Sequence, residues 1–225
     1  MVLRFFRRDR ADNLEHVQAL LLGMLANDRH SFDLATSALL AGADPTVVGP
    51  ELRATDRKVN EDERAIRREL IVHASVHGTV HVPAILVYMS IVKDAERIGD
   101  YAKNIYDLAA DRRDFVDAPD AEELRDFATQ VSRMITEAAG AFGNDNLEAT
   151  RTIIAAGDAL QDTFDAHITA LVTSSDPPKG AVARALLFRY LKRTVSHLMN
   201  LLSAVVMPVD QLDYFDEPGS PGGQN

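Results

Sequence analysis

An all-α protein of two tandem three-helix bundles is the fold class that the 225-residue sequence predicts, and three observations carry that prediction. Prolines bunch at positions 45, 50, 83, 119, 177, 178, 208, 218 and 221, leaving 51–82, 84–118, 120–176 and 179–207 free of them. Stretches of that length suit helices, because an interior proline costs roughly 3 kcal/mol. Apolar residues within them recur at steps of three and four, the spacing of one helical face. The two halves of the chain also echo each other, six helices dividing into three and three.

The elements follow in order. Leu14, Val17, Leu21, Met24 and Leu25, then Phe32, Ala35 and Leu39, form the stripe of the first helix. A break is expected in it near 27–31, with Asp28 and Ser31 as capping residues. Val59, Ile66, Leu70 and Val76 define the second helix, and Ile85, Val87, Ile91, Ile98 and Ile105 the third. A Pro/Asp-rich linker at 111–120 separates the halves. Leu124, Phe127, Val131 and Ile135 open the second half. Ile153, Leu160, Phe164, Ile168 and Leu171 follow, and Leu187, Leu191, Val195, Leu198 and Leu202 complete it. Breaks fall near 42–50, 77–83, 112–120, 143–146, 174–180 and 208. The expected organisation is a basic lead at 1–13, bundles at 14–112 and 119–207, and a disordered acidic tail at 208–225.

Composition removes several classes of function. The chain has no cysteine, so disulfides, thiolate metal sites and cysteine nucleophiles are excluded, and any metal must be held by oxygen or imidazole. It has no tryptophan and 6% aromatics, a poor supply for base stacking. Net charge is -10, with +2 on 1–13, -8 on the body and -4 on 208–225. Nucleic acid is therefore not the expected partner. No apolar run has the length of a signal or spanning segment, which makes the cytoplasm the expected compartment. The lead's Leu3–Arg8 stretch mixes basic and aromatic residues, and a frayed basic terminus outweighs lipid contact there.

The most informative segment is 92–109, VKDAERIGDYAKNIYDLA. Glu96, Asp100 and Asn104 follow one another at four-residue steps and share a face. Gly99 sits among them at about 1 kcal/mol against alanine. Close approach of a neighbouring helix or ion is one reason for it. Asp56, Asn60 and Glu63 line a face of the second helix. Two such stripes make an oxygen-lined site for a hard or borderline cation. A solvated charged face, with Lys93, Arg97 and Lys103 as counter-charges, is the alternative.

ERIGDYAKNI, residues 96–105, resembles the signature of the PhoU family of phosphate-uptake regulators, and DRKVN, 56–60, looks like its middle-helix signature. The resemblance spans roughly 14–207. It implies two three-helix bundles whose E(D)xxxD motifs bind metal, often iron or zinc in multinuclear clusters. It also implies action at the cytoplasmic face of the membrane, with a phosphate ABC transporter and a sensor histidine kinase as partners. The implied output is repression of phosphate-starvation signalling, with no catalysis. Carried over residue by residue, the metal ligands are Glu96 and Asp100 facing Asp56, with Asn60 and Asn104 as weaker neighbours. Iron or zinc is expected, with magnesium or manganese as alternatives. In the second half Asp158 and Asp162 keep the middle-helix pattern, and Asn200 fits. Lys192 and Ser196, however, stand where the family has Glu and Asp. An ammonium there, drawn to Asp158 or Asp162, would replace the ion, so metal is expected in the first repeat only.

His73, His77 and His81 sit at four-residue spacing in HASVHGTVH. That spacing suits zinc or nickel, but Gly78 and Pro83 mark a helix end, where histidines complement the dipole. A ferritin-like diiron enzyme would need Glu-x-x-His pairs, and none occurs. Phosphate loops, GxSxG and HExxH are absent as well. The sequence thus predicts a non-enzymatic regulator working by protein contacts, with peripheral membrane association and homodimerisation as open possibilities. A helical adaptor for another transporter, without obligatory metal, is the alternative.

Overall fold

The structure, a computed structural model, describes residues 12–111 and 115–213. Among them are six α-helices, one short 3-10 turn and no strand. The helices are α1 (Asp12–Leu40), α2 (Pro45–His77), α3 (Val82–Asp111), α4 (Ala121–Gly143), α5 (Leu147–Thr173) and α6 (Ala181–Val206). The basic lead up to residue 11 and the tail from 214 lie outside the described residues.

Local chemistry sets most boundaries. Asp44 caps α2 by accepting from Thr46 N at 2.9 Å, and Asn146 caps α5 by accepting from Ala149 N at 3.1 Å. Pro45 opens α2, and Pro83 lies in the first turn of α3, where an N–H would have no helical partner. Two expectations need correction. The break at 27–31 does not occur: α1 runs through it, because Asp28 and Ser31 face inward, 0% and 2% exposed. Packing of the whole stripe outweighs the capping preference of two residues. The stripe of α2 stops at Leu70, since Val76 is 70% exposed beyond the end of the core.

Each half is an up-down-up bundle. α1 packs on α2 and α3, and α6 packs on α4 and α5. The halves join through like helices, α1 against α4 and α3 against α6. Gln18 donates to the Gly143 carbonyl at 3.0 Å near one end of the α1–α4 seam. Arg125 donates to the Leu40 carbonyl at 3.1 Å near the other, so the pair is antiparallel. On the α3–α6 seam the His197 ring nitrogen meets Asp94 at 2.8 Å, and Asn200 donates to the same oxygen at 3.1 Å. Tyr101 stacks on His197 at 5.7 Å and lies 6.0 Å from the Tyr190 ring.

Two features fasten the second half. Arg184, 6% exposed, donates two hydrogen bonds to Asp120 at 2.6 and 2.7 Å, tying the start of α4 to α6. Its guanidinium also lies 5.1 Å from the centre of the buried Phe115 ring. Residues 208–213, placed in the disordered tail by composition, are described. Val209–Gln211 form a 3-10 turn against α3, and Leu212 is buried.

Candidate metal centre

The centre of the first bundle is acidic on all three helices. Asp28 comes from α1, Asp56 from α2, and Glu96 and Asp100 from α3. Asp28 is fully buried, and neither carboxylate oxygen has a hydrogen-bond partner. Gly99 permits this: a Cβ on it would stand 2.8 Å from Asp28 Oδ1, so a side chain there would force the Asp28 carboxylate to move. Burial, and then the charges of Glu96, Asp56 and Asp100, push the Asp28 carboxyl well above the usual carboxylate range.

Cations answer the other carboxylates. Lys103 Nζ stands 2.7 Å from Asp56 and 2.8 Å from Asp100. Burial alone would lower its pKa; hydrogen bonds to Asp100 and Asp56 more than offset that and leave it raised. Lys93 Nζ is 2.7 Å from Glu96 and 4.0 Å from Glu63, which also pairs with Arg67 at 2.8 Å. Arg97 reaches Asp100 at 3.2 Å. Both sequence readings of this stripe therefore meet here, with a ring of paired charges around an inner carboxylate that has no counter-charge. As the side chains stand, no three His, Asp or Glu among the described residues are arranged to hold a metal ion.

Of the expected ligands, Asp56, Glu96 and Asp100 surround one region. Asn60 turns its amide N–H to the Asp56 carbonyl on its own helix at 2.9 Å, and Asn104 is half-buried one turn past Asp100. Asp28 was missed because aspartate at a suspected helix break reads as a cap. A usable signal was present, since it occupies a core position of the stripe Leu21, Met24, Leu25, Phe32, where a charge needs a reason.

The second bundle differs at the corresponding places. Lys192 pairs with Asp165 rather than with Asp158 or Asp162, both of which are exposed. Asp165 lies one turn further along α5 and matches the position of Glu63. Met199 stands where the first bundle has Lys103. Its sulfur accepts from Gln161 at 2.9 Å and lies 2.7 Å from where a Cβ on Gly157 would be.

Fold and site together define a helical protein of two joined three-helix bundles with a carboxylate centre in the first. Comparison with known proteins bears on the fold and on the kind of protein, not on that centre. Residues 21–109 match the model of the PhoU domain. The "Phosphate-specific transport system accessory protein PhoU homolog" of Synechocystis sp. is 25% identical over 198 residues, covering 85% of this chain and 87% of that protein. The protein of the same name in Pseudomonas aeruginosa is 26% identical over 207 residues, covering 89% and 85%. The crystal structure of PhoU from Pseudomonas aeruginosa superposes with a TM-score of 0.73 at 21% identity, covering 87% of this chain and 96% of that one. The phosphate transport system regulatory protein PhoU from Streptococcus pneumoniae gives 0.67 at 17%, covering 85% and 93%. The two crystal structures bear on the fold alone. The first bundle matches the PhoU domain, and the chain is similar to PhoU homologues along most of its length.

Proposed function

We propose that this protein is an accessory regulator of phosphate-specific transport and of phosphate-starvation signalling, and that it acts from the cytoplasm by protein contacts rather than by turnover. The observation that carries the reading is that both curated relatives, aligned over at least 85% of either chain, bear the name of a phosphate-specific transport accessory protein. A transporter's cytoplasmic subunit and a sensor histidine kinase are the partners that fit. No described helix is long and apolar enough to cross a membrane, so contact with a membrane-bound partner would be peripheral. A net charge of -10 calls for a basic patch on that partner and for binding that weakens as salt rises.

Metal belongs to the same proposal, in the first bundle only. A buried carboxylate without a partner, ringed by three more, is an environment that a cation satisfies. Asp28, Glu96, Asp100 and Asp56 would hold it, and the oxygen donors suit iron, zinc, manganese or magnesium. The ion would join the three helices through their side chains. Without it, Lys103 bridges Asp56 and Asp100, and Lys93 pairs with Glu96, so an incoming ion would have to displace these ammonium groups.

Deletion of the gene tests the regulatory reading. Phosphate uptake or starvation signalling should rise in phosphate-rich medium, and crosslinking should recover a transporter subunit. Unchanged uptake and signalling, with no such subunit recovered, would leave the adaptor alternative. Elemental analysis of tag-free protein tests the metal: it should accompany the wild type and be lost from Glu96→Gln/Asp100→Asn.

A further inference from the structure

A second cluster of ligating side chains lies at the far end of α2, in the turn to α3. His73 and His77 are one turn apart on the same face of α2. Gly78 then takes φ 63° and closes the helix, its N–H bonding to the Ala74 carbonyl at 3.0 Å. That left-handed bend returns the chain, so that His81 lies over His73. The three ring centres are 4.4, 4.8 and 5.7 Å apart. His73 Nε2 meets His81 Nδ1 at 2.6 Å.

We propose that His73, His77 and His81 form a second metal site, separate from the carboxylate centre, for a borderline transition ion such as zinc, nickel or copper(II). Three features support it. His73 is 1% exposed, so burial fixes its ring with Nε2 turned towards His81. Of the two ring nitrogens that meet at 2.6 Å, one must donate and the other accept, so a single proton bridges them. An ion with imidazole affinity takes the place of such a proton. Burial, and then the neighbouring His77 and His81, hold the His73 pKa below the ordinary histidine value, which keeps the ring in its neutral, ligating form near pH 7.

The rings do not converge on one point as they stand. The adjustment required is small. Two nitrogens on a tetrahedral zinc, at bonds of about 2.0 Å, lie about 3.3 Å apart. His73 and His81 must therefore separate slightly, and the exposed His77 ring must turn inward. Along α2, at about 1.5 Å per residue, the site lies about 25 Å from Asp56. Imidazole ligands also give it a different metal preference from the oxygen-lined centre.

The test uses the full-length, tag-free chain, stripped with chelator and dialysed against zinc, with copper(II) as a spectroscopic probe. His77→Ala/His81→Ala should bind one equivalent of zinc fewer than wild type, whereas Asp28→Asn/Glu96→Gln should retain that equivalent. Copper(II) bound to the wild type should show nitrogen hyperfine splitting in its electron paramagnetic resonance spectrum, and the His77→Ala/His81→Ala protein should not. Gly78→Ala keeps all three rings but disfavours the turn, and should weaken zinc at least tenfold. His77→Gln, at an exposed position that cannot unfold the bundle, should do the same. Equal zinc uptake by wild type and His77→Ala/His81→Ala would overturn the proposal, as would a copper spectrum of oxygen ligands alone or full affinity in His77→Gln.

Discussion

The centres of the two bundles are built on the same register and filled with opposite chemistry. Aligning Leu21 with Leu124, Leu25 with Ala128, Phe32 with Ile135 and Leu39 with Phe142 sets Asp28 against Val131. On the third helices Glu96, Gly99, Asp100 and Lys103 stand against Lys192, Val195, Ser196 and Met199. The first centre holds a buried carboxylate and its acidic neighbours, with glycine making room. The second is closed by Val131, Val195 and Met199, all 2% exposed or less. One helical scaffold thus supports a charged interior or an apolar one, and a few inward positions decide which. The contrast is the reason to expect an ion in one bundle alone.

The largest effect should come from forcing the second centre to resemble the first. Val131→Asp places a carboxylate where no counter-charge or space exists, and should cost about 4 kcal/mol in chemical denaturation. A loss under about 1 kcal/mol would mean that the second centre admits water, and the contrast would fail.

The reverse exchange should have the opposite sign. Asp28→Val removes a buried carboxylate that has no partner. With divalent ions chelated, at neutral pH, it should stabilise the protein by about 2 kcal/mol. With the metal supplied, the variant should gain nothing from it. Destabilisation of the chelated protein by Asp28→Val would show that Asp28 makes a favourable contact after all.

Acid separates the bundles by sign. The folded pKa of Asp28 is raised, so its contribution is complete below the unfolded value of about 3.9 and is lost as pH rises through the folded value. Chelated wild type should therefore become more stable as pH falls from neutral towards about 4. Asp120 is shifted the other way, chiefly by hydrogen bonds from Arg184. Its contribution is present above about 3.9 and disappears as pH falls through the lowered folded value. Thermal melts across pH should lose the first trend in Asp28→Asn and the second in Arg184→Gln. Persistence of the acid gain in Asp28→Asn would assign it elsewhere.

The smallest effect belongs to the apolar residues that neither centre uses. Val76 and Val172, 70% and 73% exposed near the tips of the α2–α3 and α5–α6 hairpins, touch no core. Replacing either with serine should change stability by less than about 0.5 kcal/mol. A larger loss would mean that the tips are buried in solution by another molecule.

The helices themselves were readable from spacing, because a stripe repeated over 20 residues averages out the exceptions. Leu187, Leu191, Val195, Leu198 and Leu202 are all fully buried, as their spacing demands. Single residues were harder. Asp28 carries the same local signal as a helix cap, and Val76 the same as a core valine. Lys192 was read as an ammonium drawn to Asp158 or Asp162, but it pairs with Asp165, three residues beyond Asp162. A turn of helix is 3.6 residues, so four-residue spacing drifts around the axis, and neighbours on a facing helix cannot be read from one strip of sequence.

By itself the sequence determined the fold class, the element boundaries to within a few residues, and the acidic stripe on α3. These depend on local periodicity and punctuation, which a linear chain displays. Only the tertiary structure decided that α1 is continuous, that Asp28 closes the acidic centre, that Lys103 bridges Asp56 and Asp100, and that His81 folds back onto His73. Each joins residues on different helices or across a turn. Their energies come from burial and Coulomb attraction at a few ångströms, quantities that exist only once the helices are packed.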